Sequence, residues 1–465
     1  MGPRVTFVGG GSTHWTPKLL VDFANTPSLQ DAHVTLVDID AASLPPMLDV
    51  AAHIAKHRDI GLTVDATTNL AEGLDGTQFV ISAFTVGGFA SMKHDLDIPA
   101  RYGIRQTVGD SIGPGGIMRA LRSVPVTLEM ARTVEQHAPD ALMVNVSNPL
   151  TALTRCVNRE TNVRAVGLCN ELVGMKYLMS LLLDTDMTGV DPTVAGVNHL
   201  PLVTALKLKD GSDGFAALRD LVDRYDTDPS DPVLQTPLWM DPPAGMHFRK
   251  HYPGERWTKA DLLANLPLKI ELFRRFNVIA GSSDTHVCEF FPWFVTARSD
   301  FGRDWNVHHY GLVGHMADKV IDDASVGEVL GDDEISTFPS GELVAALLDG
   351  IVTGTEVALP VNLPNVGQVE SLPADVVVEC MGVTSADGVR ARDKAGVTGV
   401  MGEALRRVSA SQELTVEAAI SGNRTTVLEA MLADPVAGAL PYETVTLMTD
   451  QLLDALAPWL PKFRD

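Results

Sequence analysis

Four short segments of this 465-residue chain place polar side chains where chemistry could use them. RVTFVGGGS sets Gly9, Gly10, Gly11 and Ser12 after an apolar run, and VNVSNP holds Asn145 and Asn148. VGLCNE holds Cys169, Asn170 and Glu171, while VAGVNHL holds Asn198 and His199. Each follows a stretch that reads as a strand, and in an open α/β sheet the C-terminal ends of strands line the ligand crevice. Glycines between a strand and a helix suit a backbone that must approach a pyrophosphate at a helix N-terminus. The third glycine of G-x-G-x-x-G is replaced by His14, so the motif gains its weight from the next strand, VTLVDID. That strand ends in Asp38, an acid placed to bind the adenine-ribose hydroxyls and to repel a 2′-phosphate, which favours NAD over NADP. A glycine-rich turn in another α/β protein, with Asp38 a solvated strand end, is the plain alternative. Thiolate and imidazole at strand ends suit Mn, Fe, Co or Zn to varying degrees, which makes Cys169 and His199 a candidate metal pair. Taken singly, each also fits a buried small residue or a hydrogen-bonded structural histidine.

The elements that must position these groups are βαβ units. RVTFVG, VTLVDID, QFVISAF and ALMVNVSNP read as parallel strands buried on both faces, with helices over PKLLVDFANT, ASLPPMLDVAAHIAKH and 125–137. Beyond Pro149 longer helices follow, with one strand expected at VAGVNHLPLVTALKL. Residues 207–256 and 325–340 are rich in turn formers and read as surface loops or a lid, and 418–435 as amphipathic helices. The expected plan is a Rossmann domain over 1–195 and a mixed α/β (α+β) domain over 196–465 that completes the site and supports assembly. No repeat or low-complexity tract interrupts it.

Composition narrows the function. A net charge of −23 lacks the excess of Lys and Arg that phosphate backbones require, so no nucleic-acid partner is expected. No window approaches 18 uninterrupted apolar residues, and no membrane span is expected. The opening residues offer neither a signal peptide nor a myristoylation pattern. Four scattered cysteines, Cys156, Cys169, Cys288 and Cys380, form no disulfide framework, which points to a reducing cytoplasm.

Seven further motifs, in this order, carry a resemblance. They are GGFASMKHDLDIPARYGI (87–104), GDSIGPGGIMRALRSVP (109–125), NVSNP (145–149), GLCN (167–170), GVNHL (196–200), DTHVCEFFPWF (284–294) and VNLPNVGQVESLPADVVVE (361–379). With the glycine loop they resemble glycoside hydrolase family 4, the NAD- and divalent-metal-dependent glycosidases, over most of the chain. The resemblance implies a Rossmann domain similar to that of lactate and malate dehydrogenases, and Mn²⁺ or another divalent ion held by Cys169 and His199. It places Asn145 near the cofactor and Asn148, Asp110, Lys93 and Asn198 near the sugar. It implies hydride removal from the sugar C3 to NAD⁺, deprotonation at C2, loss of the C1 aglycone, addition of water and return of the hydride, outside the usual paired-carboxylate scheme. Homodimers or homotetramers are common in such a family.

Two departures bear on the chemistry. GSSDTHVCEFFPWF has no Tyr where phospho-glycosidase relatives keep a Tyr base, leaving Asp284, His286 or a water as candidates. Asn170 stands where those relatives have an Asp proposed as acid, and an amide donates no usable proton at neutral pH. The departures are more similar to the branch acting on unphosphorylated α-galactosides and α-uronides. Arg105, Arg119, Arg122, Arg274 and Arg275 offer guanidinium groups for a carboxylate, with cofactor phosphate contacts or surface ion pairs as the alternatives. The competing readings are an NAD-dependent dehydrogenase of a sugar or 2-hydroxy acid, and a non-catalytic NAD-binding sensor.

Overall fold

The computed structural model describes residues 2–238, 257–331 and 340–463. Six parallel strands, β1 (Arg4–Val8), β2 (His33–Val37), β3 (Thr63–Thr67), β4 (Phe79–Ser82), β5 (Leu142–Asn145) and β6 (Arg164–Gly167), lie in the order β3-β2-β1-β4-β5-β6. This is the Rossmann order, with its switch point beside β1, where the glycine loop emerges. Every residue of β4 and β5 is buried, as expected of strands covered by helices on both faces. The edge strand β3, TVDAT, escapes a hydrophobicity reading because all five residues are polar, small or only half-covered.

The sheet continues past β6. Strands β7 (Val190–Val197), β8 (Leu200–Leu208), β9 (Ile279–Ala280), β10 (Ala358–Pro364), β11 (Val377–Ser385) and β12 (Gly388–Ala391) extend it to twelve strands in the order β9-β8-β7-β11-β10-β6, with β12 on β11. Thus β7 straddles the boundary expected at 195/196, and both halves share one sheet. The strand expected at VAGVNHLPLVTALKL is instead a hairpin. Val197 pairs with Leu200, and Asn198 and His199 form the two-residue turn, with His199 at φ 63°. Asn and His tolerate the left-handed conformations that tight hairpins demand.

Helices α1 (Thr16–Asn25), α2 (Leu44–Arg58), α3 (Gly88–Arg101), α4 (Gly113–His137), α5 (Leu150–Glu160) and α6 (Glu171–Leu182) accompany the parallel strands. The helix expected from Pro125 begins twelve residues earlier, and Pro125 lies inside it. An interior proline costs ~3 kcal/mol, but Ile117, Met118, Leu121, Val124, Leu128 and Val134 are buried along α4, each contributing ~1.5–3 kcal/mol. Burial therefore outweighs the break. Helix α7 (Gly311–Gly331) lies against α2 and α3. Helices α8 (Gly399–Ser421), α9 (Arg424–Ala433) and α10 (Tyr442–Ala455) cover α4 and α5 with a shared apolar core, as the amphipathic pattern of 418–435 predicts. Within the expected loop region 207–256, Gly214–Thr227 is a helix capped by Asp213, whose carboxylate accepts from Phe215 N at 2.9 Å. Residues 239–256 of that region, and 332–339 of the second, lie outside the described residues. No helix of the described residues is long and apolar enough to cross a membrane.

Candidate active site

The glycine loop is a cradle that side chains would fill. A β-carbon at Gly9, whose φ is +88°, would stand 1.9 Å from the Ala83 carbonyl oxygen, and one at Gly11 would stand 1.8 Å from Ser43 Oγ. Gly9 N and Gly10 N both donate to Val37 O, and Ser12 Oγ accepts from Trp15 N at 3.1 Å at the start of α1. Asp38 is oriented by Gly11 N on Oδ2 and Asp40 N on Oδ1, each at 3.0 Å. Beside it Ile39 is 99% exposed at the strand end. His14 departs from the glycine pattern because it reaches helix α7, where Nδ1 meets Asp322 Oδ2 at 2.8 Å.

The second cluster is built from three loops and the short helix Asp284–Val287. Asp110, in the loop before α4, accepts from Asn148 Nδ2 at 2.8 Å and from Ser111 Oγ at 2.8 Å. Ser111 Oγ also lies 2.8 Å from His199 Nδ1. A carboxylate only accepts, so the single hydroxyl proton goes to Asp110, and Ser111 accepts from His199 Nδ1–H. That tautomer leaves His199 Nε2 with its lone pair. The His199 and His286 rings lie 3.9 Å apart, and Asp110, His199 and His286 each offer a ligand atom within 4.8 Å of the others. Burial lowers the pKa of His199 to about 4, helped by the charge of His286. Burial pushes the Asp110 carboxyl up, but His286, His199 and Arg119 outweigh it and hold it well below the usual carboxylate range. Glu171, which accepts from Ser283 N at 2.5 Å, is likewise lowered by the two histidines against its burial.

Cys169, half-buried beside the Asn198 side chain and the Glu171 and Glu379 carboxylates, is outside the Asp110, His199 and His286 group. Burial, with the charges of Glu379 and Glu171, pushes its thiol well up. A thiol so placed keeps its proton until a cation replaces it. Two imidazoles and a carboxylate, each offering a ligand atom within 4.8 Å of the others, are a donor set that fits a divalent transition ion.

Several expected residues serve the scaffold. Asn145 is 1% exposed; its Nδ2 donates to Ser147 O, Leu150 O and Thr154 Oγ1, and its Oδ1 accepts from Ser147 N and Ser82 Oγ. It therefore ties the S-N-P turn that presents Asn148. Asn198 is buried and donates to Glu379 Oε2 at 3.4 Å. Asn170, beginning α6, donates to Glu342 Oε1 at 3.1 Å. Asp284 faces the buried Lys269, whose Nζ lies 3.4 Å from Oδ1, and burial raises its pKa. Lys93 stands on the exposed face of α3 and pairs with Asp97, because its position, one turn before that acid, faces solvent.

Of the five arginines, Arg122 pairs with Asp95 inside the fold, while Arg274 and Arg275 pair with acids at the surface. Arg105 stacks on Phe301. Arg119 alone is at the cluster: its Nε donates to Asn148 O at 3.1 Å, and its charge acts on Asp110. Sequence reasoning passed over Glu289, Glu379 and Lys269. Glu289 is 5% exposed and accepts from Val108 N at 2.8 Å and Gly109 N at 3.0 Å, pinning the Asp110 loop to the His286 segment. Its pKa is raised to about 7 by burial, and that of Glu379 to about 8 by the same cause. A charge inside an apolar run, as in VCEFF, VVEC and PLKIEL, is the signal that marks all three.

The family model "Family 4 glycosyl hydrolase" matches residues 4–185, and that family's C-terminal domain matches 194–437. The chain belongs to family 4 of the glycosyl hydrolases. It is 28% identical to an alpha-galacturonidase of Lachnoclostridium phytofermentans over 99% of this chain and 97% of that one. It is 25% identical to an alpha-galactosidase of Bacillus subtilis over 99% and 100%. A 6-phospho-alpha-glucosidase from gut microorganisms, solved in complex with NAD and Mn²⁺, has the same fold, with a TM-score of 0.79 at 19% identity and full coverage of both chains. As a member of this family the protein is a glycosidase.

Proposed function

We propose that this glycosidase uses NAD and a divalent metal, Mn²⁺ or a similar ion, to cleave unphosphorylated α-galactosides or α-galacturonides by the redox, elimination and addition route. The observation that carries the reading is the group of buried Asp110 and His199 with half-buried His286, set against Asn148 and Arg119. The printed activities of the relatives support the sugar class, and the solved relative holding NAD and Mn²⁺ supports the cofactors. NAD supplies a hydride acceptor and donor for the sugar C3, and the ion supplies a Lewis acid for the neighbouring oxygens. His199 through Nε2, Cys169 and Asp110 would hold the ion. Asn148 orients a sugar hydroxyl from the S-N-P turn. His286, whose Nδ1 has no hydrogen-bond partner among the described residues, takes the C2 proton. Asp284, held by Lys269, positions the segment, and Asn170 holds Glu342 in place of acting as an acid. Arg119 offers its terminal nitrogens to a C6 carboxylate. Gly9, Gly10, Gly11, Ser12 and Asp38 seat the dinucleotide.

Residues 1–195 form the NAD-binding unit, and 196–465 the unit for substrate, metal and assembly, in a cytoplasmic homodimer or homotetramer. A dehydrogenase reading is not favoured, since both halves match glycosidase models.

The test is a panel of aryl α- and β-galactosides and galacturonides with NAD⁺, Mn²⁺ and a thiol reductant in D₂O. Aglycone release without net NADH, with deuterium at C2, is expected for the α-linked substrates. Full-rate hydrolysis after complete removal of NAD⁺ would overturn the redox route. In the same panel Arg119→Lys loses at least ten-fold in kcat/KM on a galacturonide relative to a galactoside if Arg119 reads the carboxylate; an equal loss on both removes that role.

A further inference from the structure

Helix α7 ties the cofactor loop to the Asp110 cluster. At its start Tyr310 N and Gly311 N both donate to Thr107 O at 2.8 Å, and Thr107 Oγ1 donates to Thr285 O at 2.6 Å. Thr107 lies three residues before Asp110, and Thr285 adjoins His286, so one threonine joins the helix to both of these site segments. Farther along, Asp322 Oδ2 meets His14 Nδ1 at 2.8 Å, and Asp323 Oδ1 accepts from Thr13 Oγ1 at 2.7 Å. His315 stands between these anchors. It lies about 6 Å along the axis from Gly311 and about 10 Å from Asp322, at 1.5 Å per residue. The separation of seven residues puts His315 and Asp322 on one face, which Val326 continues into the core.

The imidazole of His315 is braced on one side and unused on the other. Tyr310 packs edge to face on it, with ring centroids 4.7 Å apart at 80°. A β-carbon at Gly314 would stand 2.5 Å from the Tyr310 ring, so the bare backbone there makes room for the brace. His315 Nε2 is enclosed and has no hydrogen-bond partner among the described residues. Buried polar atoms in native folds are satisfied by protein, water or ligand, because an unmet one costs stability. The surrounding charges select the ligand. Burial lowers the His315 pKa to about 4, and of the charges that act on it Asp110 is the strongest, then Arg119 and His286, with His14 last. The cluster thus reaches the ring more strongly than the cofactor loop does. A neutral imidazole has one donor and one acceptor nitrogen, and a sugar hydroxyl, which both donates and accepts, satisfies Nε2 in either tautomer.

We propose that His315 Nε2 hydrogen-bonds a ring hydroxyl of the reacting sugar, which makes it a substrate-binding residue; the inference rests on the galactoside or galacturonide reading above. Calorimetric titration of the full chain, loaded with NAD⁺ and Mn²⁺, with galactose, galacturonate and the monodeoxy galactoses tests it. In His315→Ala the sugar affinity is expected to fall at least ten-fold, with NAD⁺ affinity within two-fold of the wild type. One deoxy position that weakens binding to the wild type is expected to carry no penalty in the variant, while the other positions keep theirs. His315→Phe, which retains a ring against Tyr310, carries the same comparison should the alanine variant not fold. Unchanged sugar affinity overturns the contact. So does a loss that leaves every deoxy penalty in place, which is the mark of a structural ring. A ten-fold loss of NAD⁺ affinity with sugar affinity retained moves His315 to the cofactor and overturns it as well. A wild type that binds neither galactose nor galacturonate overturns the sugar reading and this contact together.

Discussion

Replacing Glu289 by Gln separates a charge from a shape at the point where two site-bearing segments meet. The carboxylate accepts Val108 N at 2.8 Å and Gly109 N at 3.0 Å on one oxygen, with Gly109 N also 3.3 Å from the other. Its pKa rises from 4.5 to about 7, chiefly through burial and against the Val108 hydrogen bond. Between pH 4.5 and 7 the unfolded chain has lost this proton while the folded chain keeps it, so this carboxyl stabilises the fold fully below pH 4.5 and progressively less up to pH 7. At 1.36 kcal/mol per pH unit, that loss amounts to about 3 kcal/mol. The Gln variant keeps one acceptor oxygen and does not titrate. Its midpoint of thermal unfolding should therefore rise relative to the wild type as pH goes from 4.5 to 7, and the difference should level off above pH 7. Because the loop it holds carries Asp110, kcat on the best aryl galactoside or galacturonide should fall at least ten-fold, while NAD affinity stays within two-fold. Parallel melting curves across the whole pH range would refute the assigned titration, and an unchanged kcat would refute the positioning of Asp110.

Two further outcomes follow from the geometry. Cys169→Ser and His199→Ala should each weaken Mn²⁺ binding, read by electron paramagnetic resonance, by at least about ten-fold with NAD binding retained; undiminished affinity in both would remove them as ligands. Asp38→Asn should narrow the preference for NAD over NADP by about ten-fold, since it removes the charge that repels a 2′-phosphate; titration of both nucleotides by fluorescence would show an unaltered ratio if Asp38 does not face the ribose.

The parallel strands and the glycine loop are legible in the sequence because burial on both faces and close backbone approach leave few residue types available. Asp110, Asn148 and His199, from three separate motifs, lie together in one cluster. The hairpin at Asn198 and His199 is not legible from hydrophobicity, since both of its strands are apolar and the turn contains no glycine. Nor is the direction of a side chain. Asn145 and Asn148 sit three residues apart in one turn, yet one is consumed within it and the other faces Asp110. Lys93 lies in a matched motif but on the solvent side of its helix. Glu289 is visible only as a charge inside an apolar run, and its partners come from a loop some 180 residues away.

The unbroken sheet bears on how such a protein can be cut and recombined. Strand β6 meets β10 where Gly167 faces Asn362, and α8 to α10, from the far end of the chain, cover α4 and α5. A fragment ending near residue 195 would expose one strand edge and one helical layer at once, so the first half is not a transferable cassette. Insertions and fusions belong instead at exposed turns such as Asp210 to Ser212, where the chain crosses no shared layer.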